Sequence, residues 1–112
     1  MSKRATERDV YTGSGNVFAD LNVPNPEEAL AKARLASTIS DIIDEQKLTQ
    51  AQAAKLMGVD QPKVSAIVRG RLAEFSIERL LRFVLLLGRD VDIAVKKTPR
   101  SRQHARVRVL VA

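Results

Sequence analysis

The chain contains no cysteine, no tryptophan, a single histidine and only four aromatic rings. Without cysteine there is no disulfide to staple the fold and no thiolate to hold zinc or an iron–sulfur cluster. The lone His104 lies among arginines in a polar stretch near the C-terminus. A histidine base needs an orienting acceptor, and no neighbour in the sequence supplies one. A metal site would have to be built from carboxylates, and Asp41, Asp44 and Glu45 form no recognisable metal loop. With three Phe and one Tyr, of which Phe75 and Phe83 read as core, the chain lacks the stacking platforms that RNA and single-strand binders use. The longest apolar run, Phe83 to Leu87, is far too short to span a bilayer. The first residues, Met1-Ser-Lys-Arg-Ala-Thr-Glu-Arg-Asp9, are charged and carry no apolar segment of a secretory signal. These absences predict a cytoplasmic, non-enzymatic protein with no cofactor, no metal and no membrane partner.

A length of 112 residues suits one domain with a modest core. The net charge is +6 and unevenly placed. Residues 1–59 hold seven Lys/Arg against eight Asp/Glu, whereas residues 60–112 hold twelve against five. The positive half predicts a polyanionic partner.

Three segments are expected. Residues 1–24 lack a helical period and contain Thr12-Gly-Ser-Gly15 and Pro24, which predicts a flexible N-terminal arm. The Gly-Ser-Gly stretch has no preceding strand, no following helix and no phosphate-binding lysine, so a phosphate loop does not fit. Residues 25–89 carry the helical pattern. Asn25 is the expected N-cap of a first helix with Pro26 at its first position and Glu28 completing a capping box, running to about Lys47. Its apolar stripe is Ala31, Leu35, Ile39 and Ile42. Thr49 with Gln52, then Asp60, then Ser76 are the expected caps of three further helices. The last of these, with Ile77, Leu80, Leu81, Val84, Leu85 and Leu87, is apolar on two sides, and such a helix buries both. In residues 90–112 the period switches to two. Val91, Ile93 and Val95 alternate with Asp92 and Lys96, and Val107, Val109 and Val111 lie on one face with Arg106 and Arg108 on the other, predicting two short strands joined by a basic link. Two isolated strands are marginal in water, so these are expected at a dimer interface.

The most specific window is Thr49-Gln-Ala-Gln-Ala-Ala-Lys-Leu-Met-Gly58-Val-Asp60-Gln-Pro-Lys-Val-Ser65-Ala-Ile-Val-Arg-Gly70. Ala54 is small where a second helix must cross. Gly58 stands where a left-handed turn residue is required, a conformation glycine adopts without a Cβ penalty. Val64 and Ile67 recur at helical spacing and turn one face inward. Gln61, Lys63, Ser65 and Arg69 are left facing outward, on a helix suited to the DNA major groove.

This window resembles the phage-repressor, XRE-like helix-turn-helix family. The flanks, Gly15-Asn-Val-Phe-Ala-Asp-Leu21, Pro24-Asn-Pro-Glu-Glu-Ala29, Phe75-Ser-Ile-Glu-Arg-Leu-Leu-Arg-Phe83 and Leu87-Gly-Arg-Asp-Val-Asp-Ile93, resemble HigA-type antitoxins and their stand-alone relatives. The resemblance implies a mainly α, lambda-repressor-like bundle of four to five helices, here with a short C-terminal β extension. It implies a repressor that binds double-stranded DNA as a homodimer on an inverted repeat. As an antitoxin it would also neutralise a RelE/HigB-like toxin through its N-terminal arm. A stand-alone regulator, or a protein–protein adaptor using the helical body, is the alternative.

The family's phosphate and base contacts carry over to Gln50, Gln61, Lys63 and Ser65. A glutamine amide pairs bidentately with adenine, and Lys63 reaches a guanine edge or a phosphate. Arg69 and Arg71 are expected to add phosphate contacts. Pro62 departs from the family pattern, where many relatives carry a polar base-reading side chain. Proline is tolerated in a first helical turn but supplies no hydrogen bond there.

Overall fold

The computed structural model describes residues 26–112. The expected arm, residues 1–24, and the expected cap Asn25 lie outside the described residues. The chain divides into two compact units. One comprises residues 30–95 with 108–112; the other includes, among the described residues, 26–29 and 96–107. Four helices are found among the described residues: α1 (Pro26–Glu45), α2 (Gln50–Met57), α3 (Gln61–Val68) and α4 (Ile77–Leu86).

Helix α1 opens on Pro26, with Glu27 and Glu28 in its first turn, where acids oppose the positive end of the helix dipole. Ala31, Leu35, Ile39 and Ile42 are buried as their spacing requires, and Ala36 and Ile43 widen the stripe. The helix ends at Glu45 rather than near Lys47. Lys47 adopts φ +55°; its N–H reaches the Asp44 carbonyl at 3.1 Å and that of Leu48 reaches Ile43 at 3.0 Å. This left-handed closure satisfies the last carbonyls and turns the chain toward α2.

Both side-chain oxygens expected to start α2 and α4 do so. Thr49 Oγ1 accepts from the Gln52 N–H at 3.1 Å while Gln52 Oε1 accepts from the Thr49 N–H at 2.8 Å. Ser76 Oγ accepts from the Arg79 N–H at 3.1 Å. Each such cap contributes about 1 kcal/mol.

In the unit formed by 30–95 and 108–112 the core gathers residues from all four helices. Ile39, Val64, Ile67 and Leu80 are its largest fully buried side chains, each worth about 1.5–3 kcal/mol of transfer free energy. Helix α2 packs on both α3 and α4. Phe75 and Phe83 meet edge-on with centroids 6.1 Å apart, and the Arg79 guanidinium lies 5.1 Å from the Phe75 centroid and 5.6 Å from that of Phe83. The ends of α1 and α4 are tied together. Gln46 Nε2 donates to the Leu87 carbonyl at 2.8 Å, and Arg89 pairs with Glu45. That ion pair is solvent-exposed and contributes little.

The expected β extension is not formed. No strand is present among the described residues, and no backbone hydrogen bond joins residues 90–95 to 108–112. Val91 and Val109 rest half-buried against the core, and Arg34 Nη1 donates to the Val109 carbonyl at 3.4 Å. Ile93 and Val95 stand 77% and 93% exposed. Period-two alternation prepares a face, but a strand needs a neighbouring backbone to take its N–H and C=O groups. Among the described residues neither segment has one.

Candidate nucleic-acid interface

The turn between α2 and α3 sets the geometry of this face. Gly58 adopts φ +71°, and the Val59 N–H closes on the Ala54 carbonyl at 3.0 Å. A Cβ at Gly58 would meet nothing within 4 Å, so the backbone conformation, not lack of room, calls for glycine. Val59 then packs half-buried on the core, and α3 starts with Val64 and Ile67 buried. Ala53, Ala54 and Met57 of α2 are buried as well, which holds the two helices as one rigid pair.

Opposite Val64 and Ile67, the 3.6-residue repeat places Pro62, Ser65 and Arg69 along the outer stripe of α3. Gln61, Pro62 and Arg69 are exposed, and Lys63 and Ser65 are half-buried. Gln50, the first residue of α2, is half-buried; Arg71, just past α3, is exposed. Helix α3 ends on a left-handed glycine, Gly70 at φ +77°. The Gly70 N–H bonds to Ile67 at 3.0 Å and that of Arg71 to Ala66 at 2.8 Å. Those bonds fix the backbone from which Arg69 and Arg71 project. None of Lys63, Arg69 and Arg71 has an ion-pair partner among the described residues. A face with unpaired cations and amide and hydroxyl groups is equipped to meet phosphates and base edges.

A groove of about 340 Å³ lies between α1 and the end of α3, lined by Ser37, Ser40, Asp41, Val68, Arg69 and Leu72 among others. It brings no histidine or lysine to either serine. Among the described residues no group of His, Cys, Asp and Glu converges as a metal site, and no helix is long and apolar enough to cross a membrane.

One residue on this face departs from its expected part. Asp60 occupies the N-cap position of α3 with extended dihedrals, φ −75° and ψ 152°, but its side chain makes no capping hydrogen bond. The signal was present in the sequence. Pro62, two residues on, has no N–H to offer.

Two short helices joined by a glycine turn, the second exposing polar and basic side chains, define a helix-turn-helix protein. Comparison with known proteins agrees. The family model described as a helix-turn-helix domain matches residues 17–96. A solved structure provisionally named an XRE family transcriptional regulator is 45% identical, with a TM-score of 0.72, over 80% of this chain and 100% of its own. No curated protein matches. The chain belongs to the XRE-like helix-turn-helix family.

Proposed function

We propose that the protein is a sequence-specific, double-stranded DNA-binding transcriptional repressor that acts in the cytoplasm as a homodimer on an inverted repeat. The carrying observation is the α2–Gly58–α3 pair, whose second helix presents exposed Gln61 and Arg69 and half-buried Lys63 and Ser65, none of them ion-paired among the described residues. Helix α3 is the recognition helix, with Gln61 and Lys63 toward base edges and Gln50, Ser65, Arg69 and Arg71 toward phosphates. Its role is binding rather than catalysis. The likeness to a named transcriptional regulator supports the same reading.

The dimer is supported by apolar surface left uncovered. Leu85 and Leu86 of α4 are 54% and 47% exposed, and among the described residues no backbone hydrogen bond pairs residues 90–95 or 108–112 as strands. A second copy that covers them places two recognition helices about one DNA turn apart, ~34 Å. The finer assignment is an antitoxin that represses its own operon and neutralises a RelE/HigB-like toxin. What supports it is the likeness of the segments around Gly15–Leu21, Pro24–Ala29 and Phe75–Ile93 to HigA-type antitoxins.

The test is binding of the full-length protein to genomic fragments, followed by Gln61→Ala on the best fragment. We expect loss of discrimination between that fragment and random duplex by roughly 1–3 kcal/mol. Unchanged discrimination would remove α3 as the recognition helix, and no DNA binding at all would leave the adaptor reading. Co-purification with the product of a neighbouring small gene decides between antitoxin and stand-alone regulator.

A further inference from the structure

The recognition helix opens on a carboxylate that holds nothing. A capping side chain takes the N–H of the second or third helical residue. In α3 the second is Pro62, which has none. The third, Lys63, donates its N–H to the main-chain carbonyl of Asp60 at 3.0 Å. The Asp60 side chain therefore makes no cap, whereas Thr49 and Ser76, at the same position of α2 and α4, both do. Asp60 is exposed, has no ion-pair partner among the described residues, and directly precedes Gln61.

We propose that Asp60 is a specificity-determining residue of this interface, its carboxylate accepting a hydrogen bond from the exocyclic amine of a cytosine in the major groove. The inference rests on the DNA-binding reading above. A free carboxylate brought against a duplex is repelled by phosphates and by every acceptor on the base edges. Guanine offers N7 and O6, thymine O4 and a methyl group; only cytosine N4 and adenine N6 donate. Adenine places its N7 acceptor beside the amine, facing the second carboxylate oxygen, while cytosine carries no acceptor of its own on that edge. Cytosine is thus the base that the Asp60 side chain tolerates best. The Asp60 carbonyl takes the Lys63 N–H and Pro62 supplies none, which together leave the carboxylate free of the helix.

Selection of binding duplexes from a random pool, with the full-length protein, tests the proposal. The wild type should select cytosine at one position of each half-site. Asp60→Ala should cut the preference for cytosine there by about tenfold and leave the other positions intact. Asp60→Asn should shift the same position toward adenine, which an amide reads bidentately. Pro62→Ala returns an N–H to the helix start, so the carboxylate should turn back to cap it; thermal stability should rise and the cytosine preference weaken. If Asp60→Ala bound every duplex more tightly with an unaltered consensus, Asp60 would be a repulsive charge only and the proposal would be overturned while the interface stood. A wild type that bound all duplexes equally would overturn the base-reading interface and this proposal together.

Discussion

The helical body and the last two dozen residues are built from similarly apolar sequence and end in opposite states. Val64 and Ile67 are almost wholly buried, whereas Ile93 and Val95 are mostly in solvent. A helix satisfies its own backbone groups along the chain, so an apolar stripe needs only another surface to pack against. A strand hands half of that task to a neighbour. Residues 90–95 and 108–112 do not pair with each other; of their alternating valines, Val91 and Val109 rest on the core while Ile93 and Val95 stay in solvent. Periodicity is a sufficient instruction for the first kind of segment and an incomplete one for the second.

The comparison breaks most visibly in the core. Leu80→Ala removes a fully buried side chain and should cost about 2–5 kcal/mol in denaturant unfolding. Ile93→Ala, measured where the protein is monomeric, should stay within about 0.5 kcal/mol. Equal costs at the two sites would mean that residues 90–95 are buried in the folded monomer. Association is the next largest effect. Leu86→Glu should shift the proposed dimer to monomer by analytical ultracentrifugation with helical content unchanged by circular dichroism. Loss of helix instead would place Leu86 in the core of the single chain, contrary to its exposure.

Charge on the recognition face comes third. Arg69→Ala or Arg71→Ala should weaken specific and random duplex alike and reduce the slope of log affinity against log salt by about one each. A change confined to one DNA sequence would make the arginine a base reader instead. The smallest effect sharpens the account of how the helices end. Lys47 holds a left-handed conformation, φ +55°, that Gly58, Gly70 and Gly88 hold at the other three ends. Lys47→Gly should therefore raise stability by up to about 1 kcal/mol, read as a higher midpoint in urea. A lower midpoint would show that the lysine side chain contributes more than its backbone costs.

Much of the body was legible from residue types alone. The Thr49–Gln52 box, the Ser76 cap, Gly58 at the turn and the buried Val64 and Ile67 each follow from a local rule, because capping and helical spacing are properties of a few consecutive residues. So too was the exposure of Gln61 and Arg69, since burying Val64 and Ile67 leaves the far side of α3 outward, whereas Lys63 and Ser65 stand half-buried. Lys47 was harder to foresee, because nothing in a lysine signals a left-handed helix end. Asp60 has the residue type of a cap, but Pro62 offers no N–H and the Asp60 carbonyl takes that of Lys63, a competition that residue preference does not register. Tertiary structure alone decided that Val91 and Val109 reach the core while Ile93 and Val95 do not. It also decided that residues 90–95 and 108–112 do not pair with each other. Both outcomes turn on whether a second backbone lies alongside, and contacts between distant segments, unlike caps and turns, are written in no single stretch of chain.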